Sequence, residues 1–417
     1  MLKIMQQNEL IDKGTLQINV VNNLNIPVDN ATINISYSGA PDQTIERLTT
    51  NSSGSTPVID LNAPPIELSL DKNNIIQPYS EYSIYVEAPG YEPIDISGIE
   101  ILSETSSIQS VNLVPLEQGF PSDIVIPAHT LYGEYPEKIP EAEIKPVNET
   151  GEIVLSRVVV PETVVVHDGA PSDSTAKDYY VRYTDYIKNV ASSEIYATWP
   201  ESTITANVLA IMSFTMNRVY TEWYRNKGYN FTITSSTAYD HKWMYGRNIF
   251  DSISNIVDEI FDQYLARPNV KQPILTQYCD GKRVSCPDWM TQWGSKELGD
   301  QGYSPIEIIR YYYGSSMYIS SAEQISGIPS SWPGYNLTVG STGAKVQQMQ
   351  EQLNRIAQVY TSIPQITADG IFGENTRRAV EQFQRTFGLQ PDGIVGFRTW
   401  YKISQIYVGI TRIAELT

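Results

Sequence analysis

The sequence contains little cysteine and little histidine, with two and three residues respectively among 417. It has no apolar run of 18 or more residues, so nothing in it predicts a membrane-spanning helix, and we expect no membrane partner. The first residues, MLKIMQQNELIDKG, lack the apolar core of a secretory signal, which predicts synthesis without a cleavable signal peptide. A G-x-S-x-G motif and a glycine-rich phosphate loop are also missing, which disfavours serine-hydrolase and phosphoryl-transfer chemistry.

Positive charge is scarce as well. The chain has 29 Lys and Arg residues against 47 Asp and Glu residues, a formal net charge of −18. An acidic surface repels polyanions, and the sequence has no basic stripe of the kind that phosphate binding requires. We therefore expect no nucleic-acid partner and interpret the acidic surface as a contribution to solubility.

The two cysteines, Cys279 and Cys286, are seven residues apart in QYCDGKRVSC. This spacing is compatible with a local disulfide, with two free thiols, or with half of a metal site. Structural zinc takes four ligands, usually with two to four residues between paired cysteines, and this chain has few cysteines and histidines to supply them. We predict no metal and no other cofactor.

Residues 14–116 have the pattern of an all-β domain, preceded by a flexible N-terminus at residues 1–13. Short alternating segments such as GTLQINVVN and YSIYVEAPG are rich in β-branched and aromatic residues and are separated by Asn, Gly, Asp and Pro. This predicts a small β-sandwich. Residues 27–33, 50–54 and 82–91 resemble transthyretin-like modules; an inert spacer or adhesion module is the alternative interpretation.

Residues 117–157 are rich in Pro, Glu and Ile and show little periodicity. Proline favours extended conformations, so this stretch is predicted to be a connector that can lie along a neighbouring domain. Its second half, residues 145–157, is polar and is expected to be exposed. Exposed polar segments are where proteases cut, so we place a processing site in this half.

The next region, residues 158–334, is organised around the stretch SSEIYATWPESTITANVLAIMSFTMNRVY, residues 192–220. Glu194 is expected on a short connection that follows a helix over residues 183–191. A long amphipathic helix comes next, with Pro200 near its first turn, where the missing N–H is tolerated. The apolar residues recur at helical spacing, which predicts one buried face that holds the preceding connection rigidly. They are Ile204, Val208, Ile211, Val219 and Trp223.

Two separated motifs in this region resemble the stage II sporulation protein D family, lytic transglycosylases of spore-forming bacteria. The first comprises Glu194 and residues 197–214, and the second comprises MTQWGS at 290–295 and IEIIRYYYG at 306–314. Tyr245 and Gly246 match a turn of the same family. The resemblance implies a mixed α+β catalytic domain. The chain departs from the family by lacking a lysine, an arginine and a tyrosine within residues 205–214 and the glycine-rich residues ahead of Gln292.

The family resemblance assigns the catalytic role to Glu194. A lytic transglycosylase needs one acid–base residue, because the C6 hydroxyl of the muramic acid attacks the anomeric carbon and closes a 1,6-anhydro ring. The glutamate must be protonated at rest, which partial burial beside Tyr196, Trp199 or Trp293 would favour. Without the resemblance, a surface glutamate that flanks a helix would be the simpler interpretation.

Six further residues are candidates for substrate binding, since aromatic rings stack on sugars and amides bind hydroxyl groups. A structural role is the alternative for each of them. They are Gln292, Trp293, Tyr245, Asp240, His241 and Trp199.

Residues 335–417 resemble the three-helix peptidoglycan-binding domain. Its repeated turn, D-G-x-x-G-x-x-T, occurs at residues 369–376 and 392–399. Glycines there permit positive φ, and the threonine can cap the following helix. The resemblance implies binding to peptidoglycan and does not say which residues make the contact.

Together these observations predict a multidomain α+β protein. The resemblances imply the zymogen of a spore cortex-lytic transglycosylase that cleaves cortex glycan strands during germination. A subtilisin-like germination protease would remove its N-terminal region, and the cortex and coat region of the spore would be its location. Two alternatives remain: a wall amidase, which would need a catalytic zinc, and a non-catalytic wall-binding protein.

Overall fold

The computed structural model describes residues 11–116, 123–145, 155, 157–322, 324–326 and 332–411. In this part of the chain the fold is a multidomain mixture of helices and strands, as predicted. No helix in these ranges is long and apolar enough to cross a membrane. Most of the predicted flexible N-terminus (residues 1–13) and most of the predicted processing segment, namely residues 1–10 and 146–154, lie outside the described residues. Residues 12 and 13, which were also predicted to be flexible, instead begin the first strand, Asp12–Asn22.

Two sheets form the N-terminal region and enclose one apolar core. Every second residue of the first strand is buried, because side chains alternate across a strand. The elements are β1 (Asp12–Asn22), β2 (Thr32–Tyr37), β3 (Thr44–Thr49), β4 (Ile59–Ala63), α1 (Glu67–Leu70), β5 (Ser80–Glu87), β6 (Ile94–Ile101) and β7 (Ser106–Leu113). The finer likeness to transthyretin stays a prediction.

The connector crosses the central region as a largely irregular segment. Its described part, residues 123–145, contains one short strand, β8 (Ile124–Val125), which pairs with β6. The sequence pattern predicts an exposed Lys145, and this prediction is wrong, because its side chain is only 4% exposed. Burial is possible because Glu141 forms an ion pair with its ammonium group and Trp223 lies beneath it at 4.1 Å.

In its described residues, the central region contains short strands and five α-helices. The strands are β9 (Val159–Val160), β10 (Thr163–His167), β11 (Asp178–Arg182), β12 (Ile233–Thr234), β13 (Ile249–Phe250), β14 (Gln263–Ala266), β15 (Tyr278–Cys279), β16 (Met290–Thr291), β17 (Tyr318–Ser321) and β18 (Gln324–Ile325). The helices are α2 (Tyr183–Glu194), α3 (Glu201–Tyr220), α4 (Asp251–Ile260), α5 (Gln292–Asp300) and α6 (Pro305–Tyr313).

Helix α3 is buried on all sides, which corrects the prediction of one buried face. It packs against α2, α4, α5, α6 and β14. Several of its polar side chains are hydrogen-bonded within the core: Asn207 donates to Ser295 Oγ, and Ser213 donates to the carbonyl of Ile274. Because buried polar groups remain stable when they are hydrogen-bonded, a helix with many polar residues can occupy the centre of the core.

Glu194 is the last residue of α2, and this corrects the prediction that the helix ends at Ala191. Residues 195–200 then connect it to α3, with Pro200 at the N-cap. The carboxylate is therefore fixed by a packed helix on one side and by the start of the central helix on the other.

The central region is joined to both of its neighbours. Strand β13 pairs with β7 of the N-terminal sheet, and Arg247 forms an ion pair there with Glu100. On the other side, its core is continuous with that of the C-terminal helices α7 (Ala344–Ala357), α8 (Glu374–Thr386) and α9 (Phe397–Thr411). The predicted domain boundaries stay predictions, but packing continues across both.

In the C-terminal region, a glutamine holds each of the two repeated turns by equivalent hydrogen bonds. Gln350 donates to Asp369, to the carbonyl of Ile371 and to Thr376. One repeat later, Gln384 makes the corresponding bonds to Asp392, the carbonyl of Ile394 and Thr399. Each glutamine thus ties a glycine-containing turn to the helix before it.

Candidate active site

The carboxylate of Glu194 lies fully buried between two donors. The backbone N–H of Lys242 donates to Oε1 at 2.8 Å, and the side-chain amide of Gln292 donates to Oε2 at 2.9 Å. The same amide also donates to the carbonyl of Glu194 at 3.0 Å. The structure therefore brings together one residue from each of the two sequence motifs, Glu194 from the first and Gln292 from the second.

The donor at Lys242 is held in place by Asn189 on α2. Its amide donates to the carbonyl of Met244 at 2.8 Å, and its oxygen accepts from the Met244 N–H at 3.0 Å. Helix α2 therefore carries both the carboxylate and the residue that fixes the loop facing it. Asn189 was not identified from the sequence, because nothing local marks it as paired with residues 55 positions away.

Gln292 is fixed by the start of α5. Thr291 caps this helix by accepting from the N–H of Gly294. A Cβ at Gly294 would lie 2.1 Å from the Tyr312 hydroxyl and 2.3 Å from Thr291 Oγ1, so any other residue there would force these side chains to move. Farther along α5, a Cβ at Gly299 would lie 2.0 Å from Thr203 Oγ1 on α3. This close packing holds Gln292 against the end of α2.

Aromatic side chains surround the carboxylate. Burial is the main cause that raises the pKa of the Tyr135, Tyr186 and Tyr278 hydroxyl groups well above 10. Neighbouring acidic groups add to the effect, Asp240 and Glu194 for Tyr186 and Glu194 for the other two. His241 bonds to the Tyr186 hydroxyl through Nδ1 at 3.0 Å and stacks on Tyr278. Burial, with Lys138 and Arg218 nearby, lowers the pKa of His241 well below 6.5, so this imidazole is neutral at physiological pH.

Several polar atoms in this buried cluster have no hydrogen-bond partner within the described part of the chain. Buried polar atoms are normally paired, and a group of unpaired ones is typical of a site that receives a polar ligand. They are Tyr135 OH, Tyr278 OH, His241 Nε2, Gln292 Oε1 and Trp293 Nε1.

Two other candidates are engaged in structural contacts. Asp240 accepts from Arg218, Tyr224 and Thr234 and is completely buried, which agrees with the structural alternative. Trp199 packs edge-on against Tyr196 and donates to the carbonyl of Ser69 in the N-terminal region at 3.0 Å.

Trp293 and Tyr245 have different surroundings. Trp293 is buried and packs on Trp199, with 5.0 Å between the ring centroids. Tyr245 is 48% exposed and stacks on Tyr179, outside the buried cluster. Of the seven predicted site residues, only Tyr245 presents a large accessible surface.

The connector covers the buried cluster. His129 and Thr130 bond to the backbone on either side of Glu194, to Ile195 at 3.3 Å and to Ser193 at 3.1 Å. Lys138 donates to the carbonyl of Asp240 and lies over the Tyr278 ring. The sequence pattern predicts that the connector can lie along a neighbouring domain, but it does not place connector residues in the site.

Farther along, carboxylates anchor the connector to two arginines. Glu141 bonds to Arg218 through both of its oxygens, at 2.6 and 3.0 Å. Glu143 likewise holds Arg267 through both oxygens. Paired contacts of this kind are among the stronger polar interactions in proteins, so the connector is firmly docked.

The two cysteines form a disulfide, Cys279–Cys286, which selects one of the alternatives left open by the sequence. It closes the loop between β15 and β16, next to Tyr278 and ahead of Gln292. No group of three or more His, Cys, Asp or Glu side chains that could hold a metal occurs in the described ranges.

Comparison with known proteins gives one clear assignment. Residues 342–403 match the peptidoglycan binding domain family. The C-terminal region of the chain thus contains a peptidoglycan-binding domain. An uncharacterized protein in the bpoA1 3' region of Kitasatospora aureofaciens is 35% identical over 96 residues, which are 22% of this chain and 72% of that protein. The chain belongs to one family with that protein, and we describe it as a cell-wall-related protein.

Two further similarities are more limited. The zinc D-Ala-D-Ala carboxypeptidase of Streptomyces albus G is 41% identical over 75 residues, which are 18% of this chain and 28% of that protein. The chain thus spans just over a quarter of this relative. The crystal structure of the SleB N-terminal domain is 27% identical and covers 18% of this chain and 99% of that domain, with a TM-score of 0.17.

Proposed function

We propose that this protein is the precursor of a spore cortex-lytic transglycosylase, similar to SleC of clostridia. The observation that carries the proposal is the buried Glu194 carboxyl group, held by Lys242 N–H and the Gln292 amide among unpartnered polar atoms. The peptidoglycan-binding domain supports the substrate class.

Glu194 would act first as an acid and then as a base. It protonates the oxygen that joins muramic acid C1 to the neighbouring glucosamine, and the bond from C1 to that oxygen breaks. The C6 hydroxyl of the muramic acid then bonds to C1, and its proton returns to Glu194. No water is consumed, and the new end is a 1,6-anhydro sugar.

The arrangement of carboxylates supports one acid–base residue over a two-carboxylate hydrolase. Glycosidases of the second type pair a free acid with a free nucleophile or base. The carboxylate of the nearby Asp240 already accepts hydrogen bonds from Arg218 and from two hydroxyl groups. The carboxylate of Asp280 already accepts from Arg283 and from backbone N–H groups. Neither carboxylate is available for a second role.

The covering connector supports the zymogen part of the proposal. Within the described part of the chain, Glu194 is fully buried and connector residues 129–145 pack over that side of the site. A cut within residues 146–154 would end the covalent link between the connector and the central region. A subtilisin-like germination protease is the proposed agent, and the spore cortex and coat region the proposed location.

The test is analysis of the products released from purified cortex by the subtilisin-cut chain. Glu194→Gln should lower the release of anhydro-muramic ends about 10²- to 10⁴-fold, because the amide can neither give nor take the proton. Glu201→Gln, an exposed glutamate at the start of α3, should act like the parent. Each alternative has its own product: reducing ends indicate hydrolysis, and free stem peptides indicate an amidase. Wall binding without any release indicates a non-catalytic protein.

A further inference from the structure

An exposed aromatic surface lies beside the candidate active site. Tyr179 on β11 stacks on Tyr245, with 4.8 Å between ring centroids and an angle of 26° between the ring planes. Trp243 lies against Tyr179 at 5.2 Å and is 5% exposed. The two tyrosines therefore rest on a buried indole, which holds their rings in place, and Tyr245 remains 48% exposed. We call Tyr179 and Tyr245 the tyrosine pair.

The tyrosine pair is connected to Glu194 by a short stretch of chain. The Lys242 N–H bonds to the carboxylate, and Tyr245 follows three residues later. Three residues span at most about 11 Å. The loop is also tied to α2 by the two bonds between Asn189 and Met244, so the tyrosine pair keeps a fixed position relative to Glu194.

We propose that the tyrosine pair is a sugar-stacking subsite for the glycan strand, next to the bond that is cleaved. The inference rests on the proposed function, because a polymeric substrate must continue past the cleaved bond. Pyranose rings present apolar C–H groups on one face, and these pack on an exposed aromatic ring. The ligand class is a β-1,4-linked chain of N-acetylated amino sugars.

This subsite is open when the site is covered. Glu194 is fully buried under the connector, whereas Tyr245 is half exposed in the same chain. The uncut precursor can therefore hold a glycan strand before its catalytic residue becomes accessible. Cleavage would then start on substrate that is already bound.

The experiment is calorimetric titration of the uncut full-length chain with chitotetraose. Tyr245→Ala and Tyr179→Ala should each weaken binding about tenfold, equivalent to about 1.4 kcal/mol, while Tyr245→Trp should retain it. Tyr180→Ala is the matched control, because Tyr180 is the next residue of the same strand, is 79% exposed and faces the opposite side. Thermal unfolding of each variant verifies that it is folded.

The subsite proposal is wrong if all variants bind chitotetraose with equal affinity, or if the parent chain does not bind it. Equal affinity would place sugar binding elsewhere, for example on the C-terminal domain. Glu194→Gln should leave chitotetraose binding unchanged. Its effect on product release therefore tests the proposed function separately from the tyrosine pair.

Discussion

At the scale of single residues, the candidate site depends on groups that position Glu194 as much as on Glu194 itself. The Lys242 N–H is a backbone donor, so no side-chain substitution removes it directly. Its position is set by Asn189, which bonds to both backbone groups of Met244. Asn189 therefore acts as a positioning residue.

Asn189→Ala should lower the activity of the cut chain by moving the Lys242 N–H away from the carboxylate. It should also lower the free energy of unfolding by about 1–3 kcal/mol, since two buried backbone groups lose their partners. Asn354→Ala is the matched control, because Asn354 bonds to both backbone groups of Ile366 in the C-terminal region. That variant should lose stability while keeping its turnover rate, and equal turnover in both variants would contradict the positioning role.

Two of the three histidines make stability depend on pH. His129 Nδ1 accepts from the Leu131 N–H, so protonation of that nitrogen breaks a bond. Burial is the main cause that lowers the pKa of His129 and of His241 well below 6.5. Below pH 6.5 the unfolded chain thus binds more protons than the folded chain, and stability decreases as the pH falls.

The expected loss is about 1 kcal/mol for each of these histidines between pH 6.5 and 5.5, and it approaches about 1.4 kcal/mol per pH unit at lower pH, where the unfolded histidine is fully protonated. Denaturant unfolding between pH 6.5 and 5.5 measures the slope. His129→Gln should reduce the number of protons taken up on unfolding by up to one, and the slope should fall in proportion. His241→Gln should have the same effect. An unchanged slope in both variants would show that neither imidazole is neutral in the folded protein.

At the scale of elements, a disulfide supports the loop that carries Gln292. The bond Cys279–Cys286 closes a loop with a sequence separation of 7, between two short paired strands. The cross-link restricts the conformations of the unfolded chain. For a loop of this size, the folded state is stabilised by about 2 kcal/mol. Cys279→Ala with Cys286→Ala should lower the melting temperature, and dithiothreitol should produce a similar decrease in the parent chain but none in the variant. A parent chain insensitive to reduction would contradict this contribution.

The connector is the second element that matters, because it contributes to the core while covering the site. Its carboxylates hold Arg218 and Arg267, and its Lys138 is buried over Tyr278. These contacts do not depend on the covalent link at residues 146–154. A cut there should leave the connector docked at first.

At the scale of the whole molecule, the cut chain is therefore expected to be a two-piece complex. The contacts between the pieces include the pairing of β7 with β13 and the ion pair between Glu100 and Arg247. A cut removes the high effective concentration that a covalent link provides, so dissociation becomes dependent on dilution.

Gel filtration of the subtilisin-cut chain should show both pieces together at high concentration and separated after dilution. Turnover per molecule should rise with dilution and fall again when the N-terminal piece is added back. The uncut chain, which keeps the link, should show neither effect. Activity that is independent of concentration after the cut would contradict inhibition by the docked connector.

The sequence by itself determined the features that depend on local pattern. The alternating pattern of side chains predicted the strands of residues 14–116. The repeated turns indicated the C-terminal domain, and the family match confirms that it is a peptidoglycan-binding domain. The motif resemblances also singled out Glu194 and Gln292, which the structure brings into contact. The catalytic role of Glu194 stays a prediction.

Only the tertiary structure decided which groups surround Glu194. Tyr135 and Lys138 come from the connector, and Tyr278 comes from a strand beside the disulfide, so no local pattern relates them. Periodicity also predicted the wrong environment for α3, because its polar residues are paired with distant carbonyls and hydroxyls. Side chains far apart in sequence meet through packing, and packing energy depends on the whole fold rather than on neighbours along the chain.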